Sequence, residues 1–176
     1  MRLAPSLIRL QELELGLCLR LSQAQRQRSA LRFFRAISKA GDGLFWFVLA
    51  GALPLLLGVA ALPTVRRMAV VGIAAAVVSK ALKMATGRSR PFRAHAGVLL
   101  GAAPLDRYSF PSGHTLHAVA FSSVVLATYG FLAWLLVPFA LAVALSRVVL
   151  GLHYPTDVAA GAAVGALLAV LTLALF

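Results

Sequence analysis

The chain has 176 residues, 61% of them hydrophobic and 12% charged, with a mean hydropathy of +0.90. Soluble globular domains are roughly 45–50% apolar, so the composition excludes an ordinary soluble fold and points to an integral membrane protein. The net charge of +12, from 17 Lys and Arg against 5 Asp and Glu, would raise nucleic acid as a partner in a soluble chain. Here the basic residues flank apolar segments, with no aromatic-interleaved stripe for base stacking, and they point to anionic lipid or substrate instead. One domain spanning 1–176 is expected from the length. Cys18 is the only cysteine, which excludes an intrachain disulfide and a cysteine zinc site.

In chain order, Leu3, Leu7, Leu10, Leu17 and Leu21 recur at helical spacing, while Arg9, Glu12, Glu14 and Arg20 make spanning costly and do not resemble a cleavable signal. This predicts an interfacial amphipathic helix. Next comes "AQRQRSALRFFRAISKAGDG", basic, with Phe33, Phe34 and Ile37 as headgroup-level anchors or as part of a solvated linker, ending in a turn at Gly41-Asp42-Gly43. Residues 1–43 are therefore read as an interfacial segment and 44–176 as a catalytic bundle.

Apolar runs follow at roughly 44–62, 66–84, 111–129, 131–150 and 156–176. Each approaches the ~20 residues needed to cross a ~30 Å hydrocarbon core. The fold class is thus all-α, a polytopic bundle of about five spanning helices. Pro54 and Pro138 fall inside two of the runs, as membrane helices tolerate. Gly161 and Gly165, four apart, suit helix packing within the bundle better than a dimer face. Trp46, Trp134, Tyr108 and Tyr129 near run ends read as interfacial anchors, Lys80 as a snorkelling lysine, and Asp42 as a helix cap.

Alternating spans bring residues 85–110, the entrance at Pro111 and the junction 151–156 to one membrane side. There the chain carries Lys83, Arg90, "PSGH" at 111–114, Ser146-Arg147, His153 and Asp157. Charge at such depth marks a site. Three cations, a hydroxyl, a glycine and two histidines suit a tetrahedral oxyanion, of which phosphate is the abundant one. Pro111 fits the first position of a helix whose amides seat an anion; Gly113 admits phosphate to the backbone, Ser112 offers a hydroxyl and His114 shares the same turn. In "HYPTD", Asp157 lies one turn from His153 and can take its Nδ1–H, leaving Nε2 as a nucleophile. His114 then protonates the departing oxygen and activates water, while Arg90, Arg147 and Lys83 hold phosphoryl oxygens. A metal site built from His114, His117, His153 and Asp157 lacks the carboxylate-rich cluster such sites use. His117 reads as a packed or pore-facing residue, His95 as a solvated one, and Arg93 and Arg107 as loop charges bordering the motif.

The blocks "KMATGRSRP" (83–91), "PSGH" (111–114) and "SRVVLGLHYPTD" (146–157) resemble the signature of the type 2 phosphatidic acid phosphatase superfamily. In that family a Lys is separated from Arg-Pro by six residues, then come Pro-Ser-Gly-His and Ser-Arg with a His and an Asp at fixed spacing. The resemblance implies His153 as nucleophile, Asp157 as its partner and His114 as acid and base. It implies that Lys83, Arg90, Ser112, Gly113 and Arg147 bind phosphate, with no metal and no cofactor. It also implies a lipid phosphate substrate, a polyprenyl diphosphate such as undecaprenyl pyrophosphate first and phosphatidylglycerol phosphate or phosphatidic acid next, in a bacterial inner membrane. The sequence leaves phosphotransfer to a lipid acceptor and a non-catalytic scaffold as alternatives, and it does not fix oligomeric state. Two signals of orientation oppose each other: the resemblance favours an outward site, whereas the basic residues before Gly43 and Arg88, Arg93 and Arg107 favour a cytoplasmic one.

Overall fold

The computed structural model describes residues 5–176, with side chains from Arg9 onward. All regular structure among the described residues is helical. α1 spans Pro5–Ser22, α2 Arg28–Lys39, α3 Phe45–Leu57, α4 Leu62–Thr86, α5 Pro91–Ala94, α6 Gly113–Leu126, α7 Ala133–Val149 and α8 Pro155–Leu175. Four helical stretches are long and apolar enough to cross a membrane: Arg28–Leu57, Val59–Ala94, Gly130–Val149 and Pro155–Leu175. The fifth expected span, α6, is shorter at 14 residues.

α6 stands at the centre of the bundle. α4, α7 and α8 pack around it, and Leu116, Ala118, Ala120, Val124 and Val125 are fully buried. α8 comes closest because Gly161 and Gly165 face it: a Cβ at either would strike the carbonyl oxygen of Ser112 or Leu116. The spacing is used inside the bundle, as the sequence predicts. Pro54 and Pro138 sit within α3 and α7.

The N-terminal part departs from the sequence reading. Of the predicted apolar stripe, Leu3 and the side chain of Leu7 lie outside the described residues, Leu10 and Leu17 point outward, and Leu21 packs inward. The buried face of α1 carries Glu14 and Cys18 instead, against Val98, Val148 and Tyr154. Residues 28–39 are helix rather than linker, and Ile37 joins the core while Phe33 stays exposed. The turn expected at Gly41-Asp42-Gly43 is a widened helical turn, Ala40–Leu44, kinked where Gly43 takes φ 136°. Glycine tolerates that angle, so α2 runs through it into α3. Trp46 is corrected too: it is 3% exposed and meets Phe45 and Phe139 edge-on and Phe121 at a tilt, whereas Trp134 is exposed as an anchor should be.

Candidate active site

The C-terminal ends of α4 and α7 and the N-terminal ends of α6 and α8 meet at one end of the bundle. They enclose a cavity of about 550 Å³ walled by Asp42, Lys83, Arg90, Asp106, Gly113, His114, Arg147 and His153, among others. Seven of the eight residues singled out in the sequence therefore lie in this cluster: six line the cavity, and Asp157 stands behind His153.

His153 is 1% exposed, in the short junction before α8. Its Nδ1 lies 2.6 Å from the Ser109 carbonyl oxygen, so Nδ1 carries the proton and donates it. Nε2 then holds a lone pair, which accepts from Arg90 Nη1 at 3.1 Å. The tautomer is thus the one the sequence predicts, but a backbone carbonyl fixes it: Asp157 Oδ2 is 3.7 Å from Nδ1, outside hydrogen-bond range. Burial, with Arg147 and Arg90 nearby and only Asp157 opposing, pushes the imidazole pKa down to about 3. His153 is neutral throughout the physiological range, as a nucleophile must be.

Asp157, fully buried, accepts from the Tyr154 amide at 2.8 Å, from the Ser109 hydroxyl and from Arg88 Nη1 at 2.7 Å. The first bond is half of a capping box at the start of α8, with Pro155 in the first helical position. Proline takes a different place at α6. The helix begins at Gly113 with Ser112 extended before it, so Pro111 precedes the cap rather than opening the helix.

Arg90 is 1% exposed and uses its whole fork: Nε and Nη2 bind the backbone oxygen and side chain of Asp106 at 3.1 and 2.8 Å, and Nη1 binds Leu152 O at 2.9 Å. Asp106 also pairs with Lys83. Its carboxylate therefore sits between two of the predicted phosphate-binding cations. Although partial burial opposes ionisation, those cations hold its carboxyl below the ordinary range. Arg147, 2% exposed, donates to the Ser38 hydroxyl, while its Nε is buried with no partner among the described residues. A buried guanidinium N–H left open on a cavity wall is the donor an oxyanion needs. At Gly113, an added Cβ would stand 3.6 Å from Lys83 Nζ and 3.2 Å from Ser79 Oγ, so the missing side chain opens space beside the cation.

Ser112 is the exception among the predicted residues. It is fully buried, its hydroxyl 3.0 Å from Thr115 Oγ1, and it is not part of the cavity wall. Its amide donates instead to the Asp157 carbonyl at 2.9 Å, which ties the two helix entrances together.

A second, apolar cavity of about 580 Å³ continues from the first between α3, α4 and α6, sharing Asp42, Gly43, Trp46, Ala76, His117 and Phe121 with it. His117 faces this seam, its Nδ1 2.8 Å from Gly113 O. Lys80 lines the polar cavity rather than only snorkelling, and Arg107 and Tyr108 stand at its walls. His95 is half-buried in a separate cleft beside Glu12 and Arg88.

Four residues to which the sequence reading gave no part in the site complete the arrangement. Asp42 contacts His114 Nε2. Arg88 bridges Glu14 and Asp157, and Asp106 sits between Lys83 and Arg90. A signal for three of them existed: Glu14, Asp42, Asp106 and Asp157 are four of the chain's five carboxylates, and in so apolar a chain each needs a partner. Cys18, in contrast, is a buried thiol whose pKa burial raises to about 12, with Glu14 adding to the effect, and it is inert as a nucleophile.

Comparison with known proteins agrees with this geometry. The chain is 37% identical over 138 residues to decaprenylphosphoryl-5-phosphoribose phosphatase of Mycobacterium tuberculosis, covering 75% of this chain and 72% of that one. It is 38% identical over 89 residues to the undecaprenyl-diphosphatase BcrC of Bacillus subtilis, covering 51% of this chain and 46% of the relative. The crystal structure of Aquifex aeolicus LpxE superposes with a TM-score of 0.76 at 26% identity, over 89% of this chain and 92% of that one. The profile of the PAP2 superfamily matches residues 64–176, which include all three motif blocks; the chain belongs to the PAP2 superfamily and is a membrane phosphatase of that kind.

Proposed function

We propose that the protein hydrolyses the phosphate or diphosphate ester of a long-chain lipid through a phosphohistidine formed on His153, in the bacterial inner membrane. The observation that carries this reading is the His153 Nε2 lone pair at the wall of a cation-lined cavity that shares six wall residues with an adjoining apolar cavity. The headgroup enters the first compartment and the tail lies in the second, reaching it sideways from the bilayer. Among lipid classes a polyprenyl phosphate or diphosphate comes first, since two relatives are named for such substrates.

The steps follow from the groups present. Lys83, Arg90 and Arg147 take the non-bridging oxygens once Asp106 yields its place, Gly113 lets the phosphoryl group close on the helix amides, and the open Arg147 Nε–H adds a donor. Nε2 of His153 attacks phosphorus in line. The P–N bond forms as the P–O bond to the lipid breaks, and His114 delivers a proton to the leaving oxygen. His153 now bears positive charge, which Ser109 O and Asp157 stabilise at Nδ1. His114, neutral, next takes a proton from water as its oxygen attacks phosphorus, the P–N bond breaks, and phosphate leaves. Ser112 contributes by fixing the entrance of α6, through the hydrogen bond its backbone N–H donates to the Asp157 carbonyl oxygen.

The test is phosphate release by the purified protein in detergent with chelator present, from a polyprenyl diphosphate, phosphatidylglycerol phosphate and phosphatidic acid. Release that vanishes in His153→Ala supports the reading and ranks the substrates. Equal release by His153→Ala would refute it.

A further inference from the structure

We propose that Asp42 is the positioning residue for His114, forming a second histidine–carboxylate dyad that holds the proton used in leaving-group departure. The inference rests on the reading of His114 as acid and base. It concerns a residue outside the three motif blocks and outside the matched profile.

Three observations carry it. Asp42 Oδ1 is the carboxylate oxygen in contact with His114 Nε2, a buried nitrogen with no other polar partner among the described residues, which leaves Nδ1 for substrate. The other charges facing His114 are cations, Lys83 from α4 and Arg147 from α7. An imidazolium there needs a carboxylate beside it, and Asp42 is the one that reaches it. The backbone, too, is built for this contact. Asp42 lies in the widened turn between α2 and α3; on one side Gly41 approaches Val143 so closely that an added Cβ would stand 3.1 Å from it, and on the other Gly43 takes φ 136°. Widened turns of this kind recur at functional sites, and this one directs a carboxylate into the cavity from a helix that otherwise faces lipid and core.

The chemistry balances without a further reactant. In the first step Nδ1–H of the imidazolium passes its proton to the lipid oxygen as the P–O bond breaks. His114 is left neutral with its remaining proton on Nε2, donated to Asp42. That tautomer presents the Nδ1 lone pair to water for the second step. Removing the carboxylate removes both the stabilised acid and the bias toward the useful tautomer.

The experiment compares two probes sharing one chain: a long-chain alkyl phosphate, whose alcohol leaves poorly without a proton, and a nitrophenyl phosphate carrying the same chain, whose phenolate leaves unaided. First-turnover release is measured for wild type, Asp42→Asn, Asp42→Glu and His114→Ala. The expected result is a loss of about 10²-fold on the alkyl probe in Asp42→Asn, a change within about threefold on the nitrophenyl probe, and partial recovery in Asp42→Glu. The nitrophenyl rate also reports that the variant is folded. If His114→Ala shows the selective loss but Asp42→Asn slows both probes equally or neither, the proposal is overturned and the role of His114 stands. If His114→Ala itself shows no selectivity, the acid role fails and the proposal fails with it.

Discussion

Glu14 and Asp157 hold opposite ends of one guanidinium: Arg88 Nη2 is 2.8 Å from the Glu14 carboxylate and Nη1 is 2.7 Å from that of Asp157. Arg88 also lies 4.1 Å over the Tyr154 ring, and Glu14 accepts from the Thr156 amide at 3.0 Å. The first helix of the chain is thus fastened to the carboxylate behind His153, the proposed nucleophile. Glu14→Ala should lower stability by about 1–3 kcal/mol, the range for losing charge-assisted bonds to a partly exposed partner. It should also lower kcat more than KM, because the cavity's phosphate-binding cations are untouched. Thermal midpoints in detergent and steady-state kinetics check both.

Asp106 occupies the seat proposed for phosphate, between Lys83 and Arg90. Its carboxylate is held ionised, so it competes with any incoming anion at neutral pH. Asp106→Asn should therefore tighten competitive inhibition by inorganic phosphate or vanadate by about tenfold, equivalent to ~1.4 kcal/mol. Inhibition constants for the two proteins measure this directly, and weaker inhibition in the variant would contradict it.

Gly113→Ala separates stability from activity. At the first position of α6 alanine needs no unusual backbone angle, but its methyl would stand 3.2 Å from the buried Ser79 Oγ and 3.6 Å from Lys83 Nζ, in the space proposed for phosphate. The variant should melt within a few degrees of wild type, roughly 1 kcal/mol, while KM rises about tenfold, equivalent to ~1.4 kcal/mol. A melting curve and a kinetic titration on the same preparation show whether the two effects part.

Buried neutral His153 also makes stability depend on pH. Its pKa is about 3 in the folded protein against 6.5 for a free imidazole. Below about 6.5 the unfolded chain binds a proton that the native site refuses. The stability associated with the neutral ring is complete above about 6.5 and is lost as pH falls toward 3. Thermal midpoints should thus decline more steeply between pH 6.5 and 4 in wild type than in His153→Gln, which has no such group.

The division between what the sequence disclosed and what it concealed has a physical cause. Lys83, Arg90, Gly113, His114, Arg147, His153 and Asp157 stand at fixed spacing near helix ends, where local geometry decides what each can face. Five apolar runs of membrane length place those ends together. Asp42 and Glu14 have no such register. Asp42 was legible only as a cap because its direction depends on a widened turn and on Val143 across the bundle. Glu14 looked like a surface charge because its partners, Arg88 and Thr156, are distant in sequence. Trp46 misled for the opposite reason: it does lie near a helix end, but that end is enclosed by α6 and α7 rather than exposed to headgroups. Ser112 shows the limit of a motif read residue by residue: the helix begins two residues later than Pro111 predicts, and the Ser112 hydroxyl pairs with Thr115.

The central claim is that phosphorus is transferred to His153 Nε2 before it reaches water. The direct measurement is a rapid quench of the protein with a radiolabelled lipid phosphate, followed by mapping of the labelled peptide. Label on the peptide containing His153, stable to alkali, released by acid and absent in His153→Ala, is the predicted result. Turnover with no phosphoenzyme at the shortest quench times, or label on any other residue, would contradict it.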